Sequence, residues 1–270
     1  DNSLLAVRGI NHKYIVVEEI IMNREYYKDI DYKPFLFYVI FGVSAEELQV
    51  SRKKHHIDEF PAGLDMRMFN RKENADYIDG FFSGVMGNVL DEKNHEVFEQ
   101  CKNADMCVVI SGKVKDDATF DYMRNVIGFI QAFVENGAYG ILDCLMFSLF
   151  APEEWSIHYF EKEVNAQDHV VILYSKEENG YWLHTRGMAK FGRPDISIEN
   201  VEESDFHDYE QIINQMIFYG GHGVFFDGKF RLHTKDKKTF LVQSEFVNDF
   251  ENNDFNNAYC KVVVIQEVLE

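Results

Sequence analysis

The run Met106-Cys-Val-Val-Ile-Ser-Gly112 and the residues that follow it decide the fold class. The run is almost entirely apolar, which predicts a buried strand. A helix that begins near Asp116 follows, because apolar residues recur at helical spacing, namely Phe120, Met123, Val126, Ile127, Ile130, Phe133 and Val134. Asn136-Gly137 predicts its end, and residues 138–150 return as one strand or two short ones. Strand, amphipathic helix and strand together indicate a crossover unit.

The residues before this unit predict further strands and helices. A continuous apolar run follows Pro34 and indicates a strand that is buried on both faces. Ser44 is placed as the N-cap of the next helix. Residues 14–27 fit a strand and a helix equally well. The remaining predictions are strands at residues 35–43, 65–69 and 81–90, the last of them bent at Gly84 and Gly87, and helices at residues 44–54 and 91–102.

The residues after the crossover unit predict a β-rich second half. Asn179-Gly180 between two β-rich runs is a strong hairpin signal. An acidic amphipathic helix over residues 202–219 ends at Gly220-Gly221. The predicted strands are 169–174, 181–186, 195–199, 224–234, 240–246 and 261–268, and residues 248–257 are predicted to form an acidic surface loop.

This order of elements predicts an α+β fold. The sheets are expected to be mixed or mostly antiparallel, with helices packed on one face. Two ferredoxin-like layers joined around residues 80–105 fit this order. We divide the chain into an N-terminal α+β portion, residues 1–90, and a C-terminal α+β domain, residues 91–270. Whether the N-terminal portion folds independently stays open.

Charge and cysteine content narrow the class of function. The chain has 46 acidic and 27 basic residues and a net charge of −19. Such a surface repels polyanions, so we expect neither a nucleic-acid nor an anionic-membrane partner. The acidity favours either plain solubility or a partner with a basic face. The four cysteines form no Cys-x-x-Cys pair, and no apolar run approaches the roughly 20 residues of a membrane helix. With no secretory signal at the N-terminus, we predict a cytoplasmic protein.

One segment is dense enough in unusual residues to suggest a site, namely Tyr181-Trp-Leu-His-Thr-Arg-Gly-Met-Ala-Lys-Phe-Gly-Arg-Pro-Asp195. In a strand His184 and Arg186 share a face, and Thr185 points to the other. The pair is able to bind a carboxylate or phosphate, with Trp182 or Tyr181 lining the pocket. The competing interpretation is a polar strand face in which Arg186 pairs with an acid and His184 bonds to backbone.

Other chemical motifs are weak. His55-His56, followed by Asp58 and Glu59, is interpreted as the surface end of a helix rather than a metal site. Gly220-Gly-His-Gly223 follows a helix, whereas phosphate-binding turns precede one. The sequence contains no nucleophile elbow and no nucleotide-binding glycine motif. We therefore predict no metal, no cofactor and no assigned catalytic residue.

The segment from Trp182 to Asp195 resembles an uncharacterised bacterial family, domain of unknown function 4261. Members show a similar run of a hydrophobic residue, His-Thr-x-Gly, Leu or Met, x-x-Phe-Gly-x-Pro and an acid. The region from Met106 to Phe150 and the closing strands around Asp227-Gly228 also agree, so that the resemblance covers roughly residues 95–268. The acidic insertion at residues 248–257 is longer than the family pattern. The resemblance implies an α+β fold and supplies no catalytic residues.

These observations support two hypotheses about function. The first is a non-enzymatic binding or interaction protein, for example an immunity-type or regulatory protein that masks a basic partner. The second is a small-molecule-binding protein or enzyme that uses His184 and Arg186. The lack of catalytic motifs favours the first, while the sequence leaves the partner, the substrate and the oligomeric state open.

Overall fold

The computed structural model describes residues 24–46, 48–234, 238–249 and 257–268, so the segment at 14–27 lies mostly outside the described residues. Within these ranges the chain has an α+β fold with two mostly antiparallel sheets, as predicted. The chain divides into two compact units. The central unit is Lys33–Val164, and the terminal unit combines Asp1–Tyr32 with Asn165–Glu270.

The central unit is built on a five-stranded sheet in which all neighbouring strands are antiparallel, in the order β2-β3-β1-β4-β5. The predicted strand–helix–strand unit is confirmed as β3, α5, β4 and β5. The elements are β1 (Phe35–Phe41), α1 (Arg52–His55), β2 (Leu64–Asn70), α2 (Arg71–Gly80), α3 (Gly84–Lys93), α4 (His95–Lys102), β3 (Met106–Lys113), α5 (Asp121–Glu135), β4 (Gly140–Asp143), β5 (Ser148–Phe150) and α6 (Pro152–Trp155).

Side chains cover both faces of this sheet, which differs from the predicted packing of helices on one face. On one face Val39 and Phe41 join a buried cluster with residues of α2, α3 and α4. On the other face Tyr38 packs edge-on against Trp155, with ring centroids 5.7 Å apart. Alternate residues of β1 therefore serve two cores, and this explains why the strand reads as one continuous apolar run.

Two predicted elements of the central unit are corrected. Residues 81–90 were expected to form a strand, but α3 occupies most of this range. Gly87 permits the close turn there, because a Cβ at this position would lie 2.3 Å from the carbonyl oxygen of Phe82. The helix expected from Ser44 is reduced to the four residues of α1, which Ser51 caps. Ser44 instead accepts a hydrogen bond from the nearby N–H of Glu46.

The terminal unit contains a six-stranded sheet in the order β6-β7-β8-β11-β10-β9. Among the strands that the structure describes in this unit, only the central β8–β11 pair is parallel, so two antiparallel three-stranded groups meet at that pair. The predicted hairpin and the three late strands are confirmed. The elements are β6 (Val171–Glu177), β7 (Gly180–Arg186), β8 (Asp195–Val201), α7 (Phe206–Gly221), β9 (Gly228–His233), β10 (Thr239–Val247) and β11 (Tyr259–Val268).

The central sheet follows the strand order of a ferredoxin-like layer, and the terminal sheet does not. In the central unit the neighbours β2-β3-β1-β4 reproduce the split order of that layer, with β5 added beside β4. Three helices, α2 to α4, replace the hairpin that usually joins the second and third strands. The terminal sheet has a different order, and the prediction of two such layers is wrong for it.

The two compact units also differ from the predicted division between residues 90 and 91. Residues 90 and 91 both lie inside α3, within the central unit. The reason is that β1 pairs with β3 and β4, which lie on the other side of the predicted boundary in sequence. Among the described residues, none of the helices has the length and apolar character that crossing a bilayer requires.

Candidate functional site

The β6–β7 hairpin positions the residues that the sequence singled out. β7 pairs with β6 on one side and β8 on the other, and His184 lies opposite Leu173 and Ser197. Strand alternation places Trp182 and His184 on one face, while Thr185 points to the opposite face. Thr185 is fully buried.

Trp182 and His184 form a stacked pair on the first of these faces. Their ring centroids lie 3.8 Å apart, and the planes differ by 15°. The indole Nε1 of Trp182 donates a hydrogen bond of 2.9 Å to the hydroxyl of Ser197 on β8. His184 is only 5% exposed as a result, whereas Trp182 remains half-buried. The imidazole is therefore covered by the indole rather than open to a ligand.

Arg186 ends β7 and is partly buried. Its positive charge acts on Asp195, the first residue of β8, and is one of the influences that lower the pKa of that carboxyl. The structure thus brings Trp182 and His184 into contact and gives Arg186 an electrostatic link to a different residue, one that the sequence did not nominate.

Asp195 is the centre of a buried polar cluster. Its Oδ1 accepts hydrogen bonds from the Thr185 hydroxyl at 2.8 Å and from the Met188 N–H at 3.3 Å. Its Oδ2 accepts one from the Asn257 side-chain amide at 3.1 Å. Burial nevertheless dominates and raises the pKa of Asp195 to about 6. Because Asp195 is 1% exposed, a substrate cannot reach the carboxylate in this conformation.

Residues 250–256 of the acidic surface loop predicted at 248–257 lie outside the described residues; Asn248 and Asp249 are exposed as predicted, whereas Asn257 is not. This residue is buried, and its amide bridges Asp195 and the carbonyl oxygen of Arg193, which lies 2.9 Å away. Its side-chain oxygen accepts a hydrogen bond from the hydroxyl of Tyr32. The last residue of the predicted loop is thus a member of the Asp195 cluster.

Two buried arginines hold the turn between β7 and β8 against the end of α7. Arg193 donates to the carbonyl oxygens of Gly223 and Val224, the second at 2.9 Å. Arg24 donates to Gly221 at 2.8 Å and to Phe191 at 2.6 Å. Charge-assisted bonds to carbonyl oxygens compensate the cost of burying each guanidinium. Arg193 of the 181–195 segment therefore has a packing role in the terminal unit.

The central unit contains a polar cavity of about 370 Å³ near the end of α5. His55 lies in its wall, with Nδ1 accepting the Ser51 N–H at 3.0 Å and Nε2 3.1 Å from the Glu135 carboxylate. Since Nδ1 acts as an acceptor, the proton lies on Nε2 and is donated to Glu135. Hydrogen bonds from Lys54, and then His55, hold the pKa of Glu135 below its usual value. Both ring nitrogens are thereby engaged, and neither is available as a general base.

His55 also corrects the interpretation of His55-His56 as a surface end of a helix, because its side chain is buried. Within the described ranges there is no group of three or more His, Cys, Asp or Glu side chains arranged to hold a metal ion. All four cysteines are buried thiols, and burial raises the pKa of Cys101 and Cys107 to about 12. Their thiolate forms are therefore disfavoured.

Sequence reasoning did not identify Asp195 and Asn257 as partners, and the signal for them was slight. Asp195 directly follows Pro194 at a predicted strand start, where an acid is ordinarily exposed. Asn257 follows a run of acids and asparagines whose composition is typical of a solvated loop.

Comparisons with protein-family models, with curated proteins and with solved structures find no match to this chain.

Proposed function

We propose that this chain is a non-enzymatic binding module that recognises a basic protein partner. The carrying observation is the net charge of −19. A surface of this charge attracts cationic partners over long distances and repels nucleic acids and anionic membranes. An immunity-type or regulatory protein that masks a basic face is one concrete form of this proposal.

The 181–195 segment supports the non-enzymatic part of the proposal. Thr185 and Asp195 bond to each other in the interior, and His184 lies beneath Trp182. Catalysis requires reactive groups within reach of a substrate, and here the hydroxyl and the carboxylate are both buried. The cysteines, which also lack exposure, offer no accessible thiolate.

Membership in the bacterial family of domain of unknown function 4261 and a cytoplasmic location are parts of the same proposal. The first rests on the Trp182–Asp195 motif and on the order of elements. The second is supported by four free, buried cysteines, since cysteines in oxidising compartments are commonly paired.

A second candidate is a small-molecule-binding protein or enzyme that uses His184 and Arg186, with Trp182 or Tyr181 in the pocket wall. One observation favours it, namely that Trp182 and Arg186 are both only partly buried, at alternate positions of the same strand as His184. A guanidinium and an aromatic ring are groups that bind planar anions. This candidate needs His184 to become accessible when the ligand binds.

Calorimetric titration tests the proposal. The full chain is titrated with a short blocked peptide of alternating arginine and serine, and in parallel with a matched peptide of alternating glutamate and serine. We expect binding of the arginine peptide only, with an affinity that falls as the salt concentration rises from about 50 mM to about 300 mM, because the Debye length shrinks. The proposal would be contradicted by an affinity that does not change with ionic strength, or by the absence of binding at low salt.

A further inference from the structure

The terminal unit carries a partly exposed aromatic patch formed by Tyr174, Tyr181 and Phe206. Tyr174 is 55% exposed, and its ring lies nearly parallel to that of Phe206, with the planes 17° apart and the centroids 6.0 Å apart. Tyr181 packs edge-on against Phe206 at 4.7 Å. Three aromatic rings from β6, β7 and the start of α7 thus meet at one surface, where Tyr174 offers much of its ring to solvent.

Five exposed carboxylates flank this patch in sequence, at the hairpin tip and just before α7. They are Glu177, Glu178, Glu202, Glu203 and Asp205. Neighbouring acids on the same unit are engaged with lysines, as Asp208 is with Lys238 at 2.7 Å. The five show no ion pair with any residue in the part of the chain that the structure describes. Their charge is therefore available to a partner.

We propose that this aromatic patch, together with the five carboxylates that flank it in sequence, is the surface that binds the basic partner, with arginine or lysine side chains of the partner placed over the exposed ring of Tyr174. The inference rests on the binding function proposed above and assigns it to one place. A cation over an aromatic face is attracted by the ring quadrupole, and the flanking carboxylates add charge complementarity. A neutral apolar partner would leave these carboxylates without compensation.

Lys176, which lies beside the patch, has the wrong charge for this partner. Lys176 lies opposite Tyr181 in the hairpin register and shares the strand face of Tyr174, two residues away. It is exposed and repels a cationic partner. Removing this charge should strengthen binding, whereas a substitution that merely disrupts the fold would weaken it.

The test uses the full chain and the same arginine–serine peptide, with affinities from calorimetry at low salt. The triple variant Glu177→Gln, Glu202→Gln and Glu203→Gln should weaken binding about tenfold, since each exposed charge pair contributes modestly. The matched control, Glu92→Gln, Glu161→Gln and Glu163→Gln, changes the net charge equally at exposed positions in the central unit. It should weaken binding about twofold or less.

Substitutions in the patch itself separate the ring from the charge. Tyr174→Ala should weaken binding about two- to fivefold, whereas Tyr174→Phe retains the ring and should bind as the unaltered chain does. Lys176→Gln should strengthen binding about twofold. Circular dichroism of each variant checks that the fold is retained.

The outcomes distinguish this inference from the proposed function. If both triple variants weaken binding equally and Tyr174→Ala has no effect, the chain binds cations by net charge, and the patch assignment is wrong while the binding proposal stands. If the unaltered chain binds no cationic peptide at low salt, the binding proposal fails and the patch assignment fails with it.

Discussion

The Thr185 hydroxyl donates a hydrogen bond of 2.8 Å to the Asp195 carboxylate, joining the end of β7 to the start of β8. The same hydroxyl accepts the N–H of Ile196 at 2.9 Å. Neither Thr185 nor Asp195 has more than 1% of its surface exposed. One buried hydroxyl therefore satisfies a carboxylate and a backbone amide at once, and its removal leaves both without this partner.

Thr185→Val should lower the free energy of unfolding by about 1–3 kcal/mol, because it keeps the shape and leaves buried polar groups unsatisfied. Chemical denaturation at neutral pH measures this loss. Thr185→Ser is the matched control. It retains the hydroxyl and loses one methyl group, which should cost about 1 kcal/mol or less. Equal losses for Val and Ser would show that the hydrogen bonds contribute little.

The raised pKa of Asp195 predicts a specific dependence of stability on pH. The folded value is about 6, above the reference value of 3.8, so the folded state binds the proton more tightly than the unfolded state does. The stabilising contribution is complete below pH 3.8 and is lost as the pH rises through about 6. Each pKa unit corresponds to about 1.36 kcal/mol, which gives a total of up to about 3 kcal/mol.

Denaturation of the unaltered chain and of Asp195→Asn across this range measures that contribution. Asparagine does not ionise, so the difference in unfolding free energy between the two proteins should decrease from about pH 4 to about pH 7. Glu92→Gln, at an exposed position, serves as the control and should give a flat difference. A difference for Asp195→Asn that is flat or increases with pH would contradict the assignment.

Arg186→Ala should move this pH-dependent loss of stability to higher pH. The Arg186 charge lowers the pKa of Asp195, and its removal allows that pKa to rise further. Arg186→Lys keeps a positive charge and should leave the transition close to its original position. An unchanged transition in Arg186→Ala would show that the Arg186 charge does not influence the pKa of Asp195.

The same variant bears on the second candidate function. If Arg186→Ala lost the binding of a small-molecule ligand at an unchanged melting temperature, that result would favour the second candidate.

Gly128→Ala tests the packing of α5 against the end of α1. A Cβ at Gly128 would lie 2.0 Å from the carbonyl oxygen of His55, so we expect a loss of about 2 kcal/mol or more despite the higher helix propensity of alanine. Gly80, the last residue of α2, has no atom within 4 Å of the corresponding position, and Gly80→Ala should be neutral or stabilising by up to about 1 kcal/mol. Thermal unfolding compares the two. A Gly128→Ala protein as stable as Gly80→Ala would refute the predicted clash.

Elements with a strong local pattern were predicted well from the sequence. The amphipathic period of α5 and the Asn179-Gly180 turn gave their type and approximate limits, since both signals lie within a few neighbouring residues. Residues 81–90 were predicted wrongly because a short apolar run with two glycines fits a bent strand as well as a helix. The contact of Gly87 with Phe82, together with packing of Leu90 into the buried cluster, selects the helix.

The candidate site was also predicted only in part from the sequence. The sequence alone predicts that Trp182 and His184 share one face of the strand and that Thr185 lies on the other, because side chains alternate along a strand. That His184 is covered by an indole and that Thr185 bonds to Asp195 depends on where β8 lies beside β7. The aromatic patch likewise requires Phe206 to come beside the hairpin.

The sequence by itself determined the α+β class, most of the strands and helices, and a net charge of −19, because composition and local periodicity carry that information. Only the tertiary structure decided which polar residues are buried and which residues they bond to. Asn257 and Asp195 are separated by 62 positions in the chain, and their hydrogen bond exists because β11 lies beside β8. Burial and hydrogen bonding between such distant residues depend on the packing of the whole unit, which local propensity does not encode.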